Sequence, residues 1–158
     1  MNNFRKEELP NKYFHEVGVL SSFTNTNFIQ KLISSFHDYE NLYFVSKFYD
    51  EYIINYLNRF WNENQIQFFS ACLIQSLLHM RKEKYIHRDI HFGNIVLDKD
   101  NYINLIDFHI SIEYNKKNNS ENNIIGSPEL CAPEMLSNKL YDYNSDYYRI
   151  GSMLYFIN

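Results

Sequence analysis

The segment best suited to chemistry spans residues 87–98 and reads His-Arg-Asp-Ile-His-Phe-Gly-Asn-Ile-Val-Leu-Asp. In it Asp89 lies five positions before Asn94, and another carboxylate, Asp107, follows Asp89 by eighteen positions. Two oxygen ligands can hold Mg²⁺ against phosphates while a separate carboxylate orients or deprotonates an attacking hydroxyl, so this spacing favours phosphoryl transfer. A zinc site built on Asp89 and the two histidines of the segment is a weaker hypothesis, because no closed ligand set accompanies them.

The elements that would position these side chains are visible in the hydrophobic pattern. Apolar residues recur every three or four positions over residues 65–84, which predicts an amphipathic helix directly before the polar segment. Asn64 with Gln67 three positions later resembles a capping box at its start. The other predicted elements are a strand over residues 42–48, short strands over 95–97 and 102–106 around a polar turn, and a helix over 145–157.

Composition predicts a single soluble domain. The chain has 158 residues, and its 15 basic against 19 acidic residues give a net charge of −4. That balance argues against a nucleic-acid partner, which requires a concentrated positive patch. The N-terminus has no apolar signal region, and no stretch approaches the roughly 20 apolar residues of a membrane span. Because Cys72 and Cys131 are too few for a disulfide framework, we expect a reducing, cytoplasmic location.

Four short motifs follow one another along the chain. Residues 87–94 read His-Arg-Asp-(x)₄-Asn, residues 107–109 read Asp-Phe-His, residues 126–134 end in Ala-Pro-Glu, and Asp146 precedes Gly151 by five positions. In this order they resemble four motifs of eukaryotic protein kinases of the serine/threonine type. Those motifs are the catalytic loop, the metal-binding Asp-Phe-Gly triplet, the end of the activation segment and the start of the central helix of the C-lobe. The resemblance covers nearly the whole chain.

This resemblance implies a partial protein kinase-like fold of class α+β over residues 1–158. Residues 1–49 would form the remnant of the N-lobe, with the regulatory helix, the following strands and the hinge. Residues 50–158 would form an incomplete, mainly helical C-lobe up to its central helix. The glycine-rich loop and the strand lysine of similar kinases have no counterpart in the sequence, so we expect a domain truncated at both ends.

The resemblance also implies roles for individual residues. Asp89 would orient the substrate hydroxyl, and His91 would stand where similar kinases keep a lysine near the γ-phosphate of ATP. Asn94 and Asp107 would bind Mg²⁺, and Glu16 would stand in the regulatory helix where similar kinases have the glutamate that pairs with the strand lysine. Two further groups are implied, namely an adenine-facing hinge made of Ser46, Lys47 and Tyr49 and an apolar column between the lobes made of Leu20, Leu32, His87 and Phe108.

Several residues depart from the pattern. The imidazole of His91 supplies less fixed positive charge at pH 7 than a lysine would. His109 replaces the glycine of Asp-Phe-Gly, and a Cβ penalises backbone angles that glycine tolerates, so we expect the loop to swing less freely between arrangements. Glu134 would lose its ion pair with an arginine from the later helices. We expect the polar loop at 115–123 to be mobile. In it, Ser120 is a candidate phosphorylation site, and Asn123 stands where many relatives carry a phosphorylated threonine. Beyond this loop, Ser127 would line the substrate shelf.

Four interpretations from different classes stay open. The first is an ATP- and Mg²⁺-dependent serine/threonine kinase acting on a protein substrate, or on a partner kinase chain, with impaired activity. The second is a pseudokinase that binds nucleotide or a partner without phosphate transfer. The third is a fragment that does not fold alone. The fourth is a small-molecule phosphotransferase of the aminoglycoside type, whose Asp-x-His-x-Gly-Asn loop is similar to residues 89–94 but which lacks the Ala-Pro-Glu segment.

Overall fold

The computed structural model describes residues 11–24, 26–38, 41–58, 60–114, 128–137 and 142–157. The α-helices in these ranges are α1 (Asn11–Ser21), α2 (Glu63–Lys82), α3 (Pro133–Leu136) and α4 (Asn144–Ile157). The strands are β1 (Leu32–His37), β2 (Leu42–Ser46), β3 (Glu51–Tyr52), β4 (Tyr85–Ile86), β5 (Ile95–Leu97), β6 (Ile103–Leu105) and β7 (Ile112–Glu113). Helices and small antiparallel sheets confirm the α+β class, and among the described residues no helix is both long and apolar enough to cross a bilayer.

The longest helix, α2, begins two residues earlier than the sequence indicates. We expected Asn64 to cap it, but the cap is Asn62, whose side chain accepts a hydrogen bond from the backbone N–H of Gln65 while the Gln65 side chain accepts from the backbone N–H of Asn62, both at 3.0 Å. Both asparagines are followed by a glutamine three positions later, so the pattern alone did not distinguish them. The ring of Trp61 packs edge-on against Phe69 at 5.4 Å, which fixes the earlier entry into the helix.

The hairpin formed by β5 and β6 carries two predicted metal ligands at its open end. Ile95 pairs with Leu105 in antiparallel register. Because Asn94 immediately precedes β5 and Asp107 follows β6 by two residues, this pairing places both at the same end of the hairpin. The backbone N–H of Ile106 donates to the carbonyl of Asn94 at 3.0 Å, which extends the ladder to that end. Strand β5 has the predicted bounds, and strand β6 is one residue shorter at each end than predicted.

A second hairpin, formed by β1 and β2, is joined to the first through the segment that precedes β1. Ile29 forms a parallel bridge with Leu105, and the backbone N–H of Gln30 donates to the carbonyl of Leu105 at 2.8 Å. β2 ends at Ser46, two residues earlier than predicted. The side chain of Phe48 is 81% exposed, so the apolar character that suggested a longer strand is not used in packing.

One apolar core joins the N-terminal and C-terminal parts of the described chain. The predicted face of α2 supplies buried residues to it, and α1 and α4 pack against the same centre. The residues concerned are Val19 and Leu20 of α1, Phe69, Leu73, Leu77 and Met80 of α2, and Ile150 and Met153 of α4. The core is therefore continuous across the boundary at residue 49 that we expected between two parts of the domain.

Candidate active site

A carboxylate of α4 fixes the start of the 87–94 loop. Asp146 is 2% exposed, and its two oxygens accept hydrogen bonds from the backbone N–H groups of His87 at 2.8 Å and Arg88 at 3.0 Å. Arg88 adopts a φ of 70°, a left-handed conformation that costs a non-glycine residue energy and persists because its surroundings hold it. Burial raises the pKa of Asp146 to about 6, although the two N–H donors and nearby arginines act in the opposite direction. The helix therefore positions the next residue, Asp89.

His87 connects the 87–94 loop to the end of β6. The imidazole is fully buried, and its Nδ1 accepts a hydrogen bond from the backbone N–H of Asp89 at 3.3 Å. The neutral ring therefore carries its proton on Nε2, which donates to the carbonyl of Ile106 at 3.1 Å. The ring also packs edge-on against Phe108, with 4.8 Å between centroids. Burial lowers the pKa of His87 to about 4, so the ring is neutral at pH 7.

We expect the burial of His87 to make the protein sensitive to acid. In the unfolded chain the imidazole binds a proton near pH 6.5, whereas the buried ring stays neutral until about pH 4. Its contribution to stability is therefore complete above pH 6.5 and falls by about 3 kcal/mol as the pH is lowered to about 4. The measurement is the free energy of unfolding of the wild type and of His87→Gln at several pH values.

The comparison with His87→Gln is needed because Asp146 titrates in the opposite sense. Its raised pKa gives a contribution that is largest below pH 3.8 and is lost as the pH rises through about 6, in both proteins. The difference between the two proteins cancels this contribution and isolates His87. A difference that stays constant from pH 7 to pH 4 would contradict the prediction.

Asp89 and Asn94 contact each other within the 87–94 loop. The Nδ2 of Asn94 donates to the backbone carbonyl of Asp89 at 3.0 Å and to its Oδ2 at 3.3 Å. The other carboxylate oxygen of Asp89, Oδ1, is buried and has no hydrogen-bond partner among the described residues. An unpartnered buried oxygen is costly, so it marks a place where a further donor such as a substrate hydroxyl can bind. Because the amide nitrogen of Asn94 is used on Asp89, the amide oxygen is left to act as a metal ligand.

His91 approaches the same carboxylate. Its Nδ1 accepts a hydrogen bond from the backbone N–H of Gly93 at 3.0 Å, so the proton of the neutral ring lies on Nε2, which is 3.5 Å from Asp89 Oδ2. Burial raises the pKa of Asp89, but the hydrogen bond from His91 and the nearby positive groups outweigh it and hold that pKa below its usual range. Asp89 is therefore ionised at neutral pH, and the structure brings the two predicted catalytic residues together.

The turn formed by residues 107–109 is held by α1 and by the segment before β1. Glu16 Oε1 accepts a hydrogen bond from the backbone N–H of Phe108 at 3.3 Å, and Gln30 Oε1 accepts from the backbone N–H of Asp107 at 3.4 Å. Burial raises the pKa of Glu16, although the Phe108 N–H acts in the opposite direction. Glu16, predicted to lie at the nucleotide site, thus contacts the backbone of this turn.

His109 lies in this turn without a left-handed backbone conformation, and the predicted restriction of the loop's movement stays a prediction. The left-handed conformation falls on Asp107, whose φ is 66°, and His109 does not adopt a positive φ. The Nδ1 of His109 is hydrogen-bonded to Asp107 Oδ1, with side-chain exposures of 43% and 41%. The carboxylate predicted to bind Mg²⁺ therefore has an imidazole as its immediate neighbour.

A cleft of about 500 Å³ opens beside the predicted hinge. It is lined by Val96 in β5 and by Ile106, the residue directly before Asp107. Its volume lies within the range of small-molecule sites. Three of its lining residues are the predicted hinge residues Ser46, Lys47 and Tyr49. A larger cleft of about 830 Å³ lies away from Asp107, against α4.

The ends of two hinge side chains are bound outside the 500 Å³ cleft. Lys47 Nζ lies 3.0 Å from Asp98 Oδ2 and 5.7 Å from the centroid of the Tyr49 ring. The Tyr49 hydroxyl accepts a hydrogen bond from the backbone N–H of Lys31 at 3.1 Å. Both residues also line a neighbouring cavity of about 440 Å³. The sequence placed these residues at the hinge but gave no indication of these contacts.

The predicted apolar column is gathered around Phe108. This ring is fully buried between His87, at 4.8 Å, and Phe23, at 5.9 Å between centroids. Leu20 belongs to the same core and Leu32 packs against it. Sequence reasoning missed Phe23, although its spacing of three from Leu20 is helical and indicates a shared face.

Two polar residues near the site were also missed. Gln30 holds the Asp107 backbone, and no pattern in the sequence signals that role. Arg149 is fully buried in α4, where its Nη2 donates to the sulfur of Cys131 at 3.1 Å, and its charge helps to lower the pKa of Asp89. A basic residue in the middle of a predicted apolar helix is a signal that would have found it.

Glu134 has a partner that we did not expect. Its Oε1 accepts a hydrogen bond from the hydroxyl of Ser145 in α4 at 3.1 Å, and the loss of an ion pair with an arginine stays a prediction. The predictions for the activation segment, which concern the loop at 115–123, Ser120, Asn123 and Ser127, lie outside the described residues.

The fold and the site together define a protein kinase-like domain, in which α4 anchors the 87–94 loop beside the end of the β5–β6 hairpin. A comparison with known families agrees, because the model of the protein kinase domain matches residues 2–157. The chain therefore belongs to the protein kinase domain family.

Curated relatives are serine/threonine and rhodopsin kinases. The serine/threonine-protein kinase YPK3 of Saccharomyces cerevisiae is 30% identical over 155 residues, which cover 90% of this chain and 29% of the relative. The serine/threonine-protein kinase SKM1 of the same yeast is 33% identical over 93 residues, which cover 59% of this chain and 14% of the relative. The rhodopsin kinase GRK1 of Rattus norvegicus is 31% identical over 88 residues, which cover 56% of this chain and 16% of the relative. The chain thus spans less than a third of the length of each of these relatives.

Proposed function

We propose that this chain carries the catalytic centre of an ATP-dependent serine/threonine protein kinase, which transfers the γ-phosphate to a hydroxyl of a protein substrate. The observation that carries the proposal is the unpartnered, buried Oδ1 of Asp89, held beside Asn94 in the 87–94 loop. Family membership and the names of the relatives support the substrate class.

The residues present fit Mg²⁺ and ATP. Asn94 offers an amide oxygen and Asp107 a half-exposed carboxylate at one end of the hairpin, and hard divalent cations prefer such oxygen ligands. When bound, the ion would neutralise charge on the phosphates. The adenine would enter the 500 Å³ cleft between the hinge, Val96 and Ile106.

The chain's own residues then act on the substrate hydroxyl. Asp89 is ionised at neutral pH, so its free oxygen can accept the hydrogen of the hydroxyl and orient it for attack. His91 donates its Nε2 proton toward the same carboxylate and holds its orientation. Asn94 fixes the opposite side of that carboxylate through two hydrogen bonds.

A pseudokinase is the second candidate. One observation favours it: the carboxylate of Asp107, the proposed metal ligand, is hydrogen-bonded to His109. Under this proposal the same cleft binds nucleotide, or the surface binds a partner kinase chain, without phosphate transfer. For either candidate we propose a cytoplasmic location, in keeping with the buried thiols of Cys72 and Cys131 and with the use of ATP.

The test is equilibrium binding of ATP in the presence of Mg²⁺, combined with transfer of radiolabelled phosphate to a generic protein substrate. The wild type should bind and transfer, and Asp107→Ala should weaken binding by about tenfold or more. The matched control is Asp100→Ala, because Asp100 is an exposed aspartate in the turn between β5 and β6 and should leave binding unchanged. Binding without transfer would favour the pseudokinase, and absence of both would overturn the nucleotide site.

A further inference from the structure

His109 places a ring nitrogen beside the proposed metal ligand Asp107, and the proposed phosphate transfer does not use that nitrogen. His109 Nδ1 and Asp107 Oδ1 are in hydrogen-bond contact, and both side chains are accessible to solvent, at 43% and 41% exposure. The turn that carries them is fixed from two sides, by Glu16 on the backbone of Phe108 and by Gln30 on the backbone of Asp107. The pair is therefore held in place by the fold rather than brought together by two free side chains.

The contacting atoms are close enough to become neighbouring ligands of one cation. Ligand atoms about 2.1 Å from a metal and at right angles to each other lie about 3 Å apart, so the two atoms would move apart slightly to hold an ion between them. A divalent ion can therefore replace the hydrogen bond between the imidazole and the carboxylate. This exchange needs only a small change in the two side chains, because the backbone of the turn is already fixed.

A third ligand is available across the hairpin. Asn94 lies at the same end of the β5–β6 pair as Asp107, and its amide nitrogen is engaged by Asp89, which leaves its oxygen. Glu16 is close enough to Asp107 and His109 for their charges to influence its pKa, so its carboxylate adds attraction for a cation. Among the described residues no three His, Cys, Asp or Glu side chains form a metal site, so phosphate oxygens and water must complete the coordination.

The composition of this ligand set determines which ion it suits. Mg²⁺ prefers oxygen ligands in a rigid octahedron, whereas an imidazole nitrogen favours first-row transition-metal ions. We propose that Asp107, His109 and Asn94 form a mixed oxygen and nitrogen site that takes a first-row transition-metal ion such as Mn²⁺ in preference to Mg²⁺ beside a bound nucleoside diphosphate or triphosphate. The inference rests on the proposed function only for the nucleotide that completes the site.

The test is electron paramagnetic resonance of Mn²⁺ added to the full chain with ADP. Electron spin echo modulation should show a directly bound ¹⁴N nucleus in the wild type, and this signal should be absent from His109→Gly and His109→Ala. In a titration that displaces Mn²⁺ with Mg²⁺, the preference for Mn²⁺ should fall by about tenfold in both variants. The matched control is His37→Gly, because His37 is an exposed histidine beside an aspartate at the end of β1.

The possible results separate the inference from the proposed function. Bound Mn²⁺ without ¹⁴N modulation, or an unchanged preference in both His109 variants, overturns the inference even if phosphate is transferred. A ¹⁴N signal that depends on His109 supports the inference even if the wild type transfers no phosphate. Absence of Mn²⁺ binding with ADP, in wild type and control alike, overturns both the mixed site and the nucleotide site.

Discussion

Replacing Asp89 with asparagine should lower the rate of phosphate transfer by on the order of 10³-fold while leaving ATP affinity within about twofold of the wild type. Asparagine keeps an oxygen that can accept from Asn94 and from His91, so the contacts that shape the loop can persist. What is lost is the negative charge on the buried oxygen that would receive the hydroxyl hydrogen. The effect should therefore appear in the transfer step and not in nucleotide binding.

The measurement is the transfer of radiolabelled phosphate at saturating ATP, with ATP affinity measured on the same preparations. Asp100→Asn is the matched control, because it removes one exposed carboxylate from the β5–β6 turn without touching the loop. Equal rates in the wild type and Asp89→Asn, both near background, would end the kinase proposal and leave the pseudokinase. A loss of ATP affinity equal to the loss of rate would show that Asp89 acts in binding instead.

The parts of the site that could be predicted from sequence are those set by short-range spacing. The loop that holds Asp89 and Asn94 and the hairpin that carries Asp107 are adjacent along the chain, so local pattern and turn chemistry determine them. The buried face of α2 follows from helical periodicity for the same reason. The parallel bridge from Ile29 to Leu105 is different, because it joins segments far apart in sequence and no local pattern encodes it.

The features that escaped prediction depend on side-chain partners brought from elsewhere in the fold. Gln30 binds the backbone of Asp107 across 77 positions, and Lys47 reaches Asp98 across 51. A glutamine or a lysine on a surface segment is ordinary in sequence, and only the tertiary arrangement gives it a role. The departure of His109 from glycine is visible in the sequence, and the restricted movement of the loop stays a prediction. The contact of His109 with the carboxylate and the left-handed angle at Asp107 are not visible in the sequence.

Asp146→Ala should be the most destabilising single change near the site, lowering the free energy of unfolding by about 3–5 kcal/mol at pH 7. The carboxylate is 2% exposed, and each of its oxygens accepts one backbone N–H, from His87 and from Arg88. Alanine leaves two buried donors without acceptors and removes a negative charge near the buried Arg149. Because Asp89 directly follows these two residues, we expect phosphate transfer to fall along with stability.

The number of lost acceptors can be tested by an intermediate substitution. Asp146→Asn keeps one oxygen acceptor but presents an amide nitrogen to the other backbone donor, so it should cost less than alanine, about 1–3 kcal/mol. The matched control is Asp142→Asn, at the start of α4, where asparagine can still accept from the backbone N–H of Asn144. The free energy of unfolding, measured in urea, should be lowest for Asp146→Ala and intermediate for Asp146→Asn. It should be highest for the control Asp142→Asn and the wild type. If Asp146→Ala unfolds within about 1 kcal/mol of the wild type, the loop is not anchored by α4, and the position of Asp89 must have another cause.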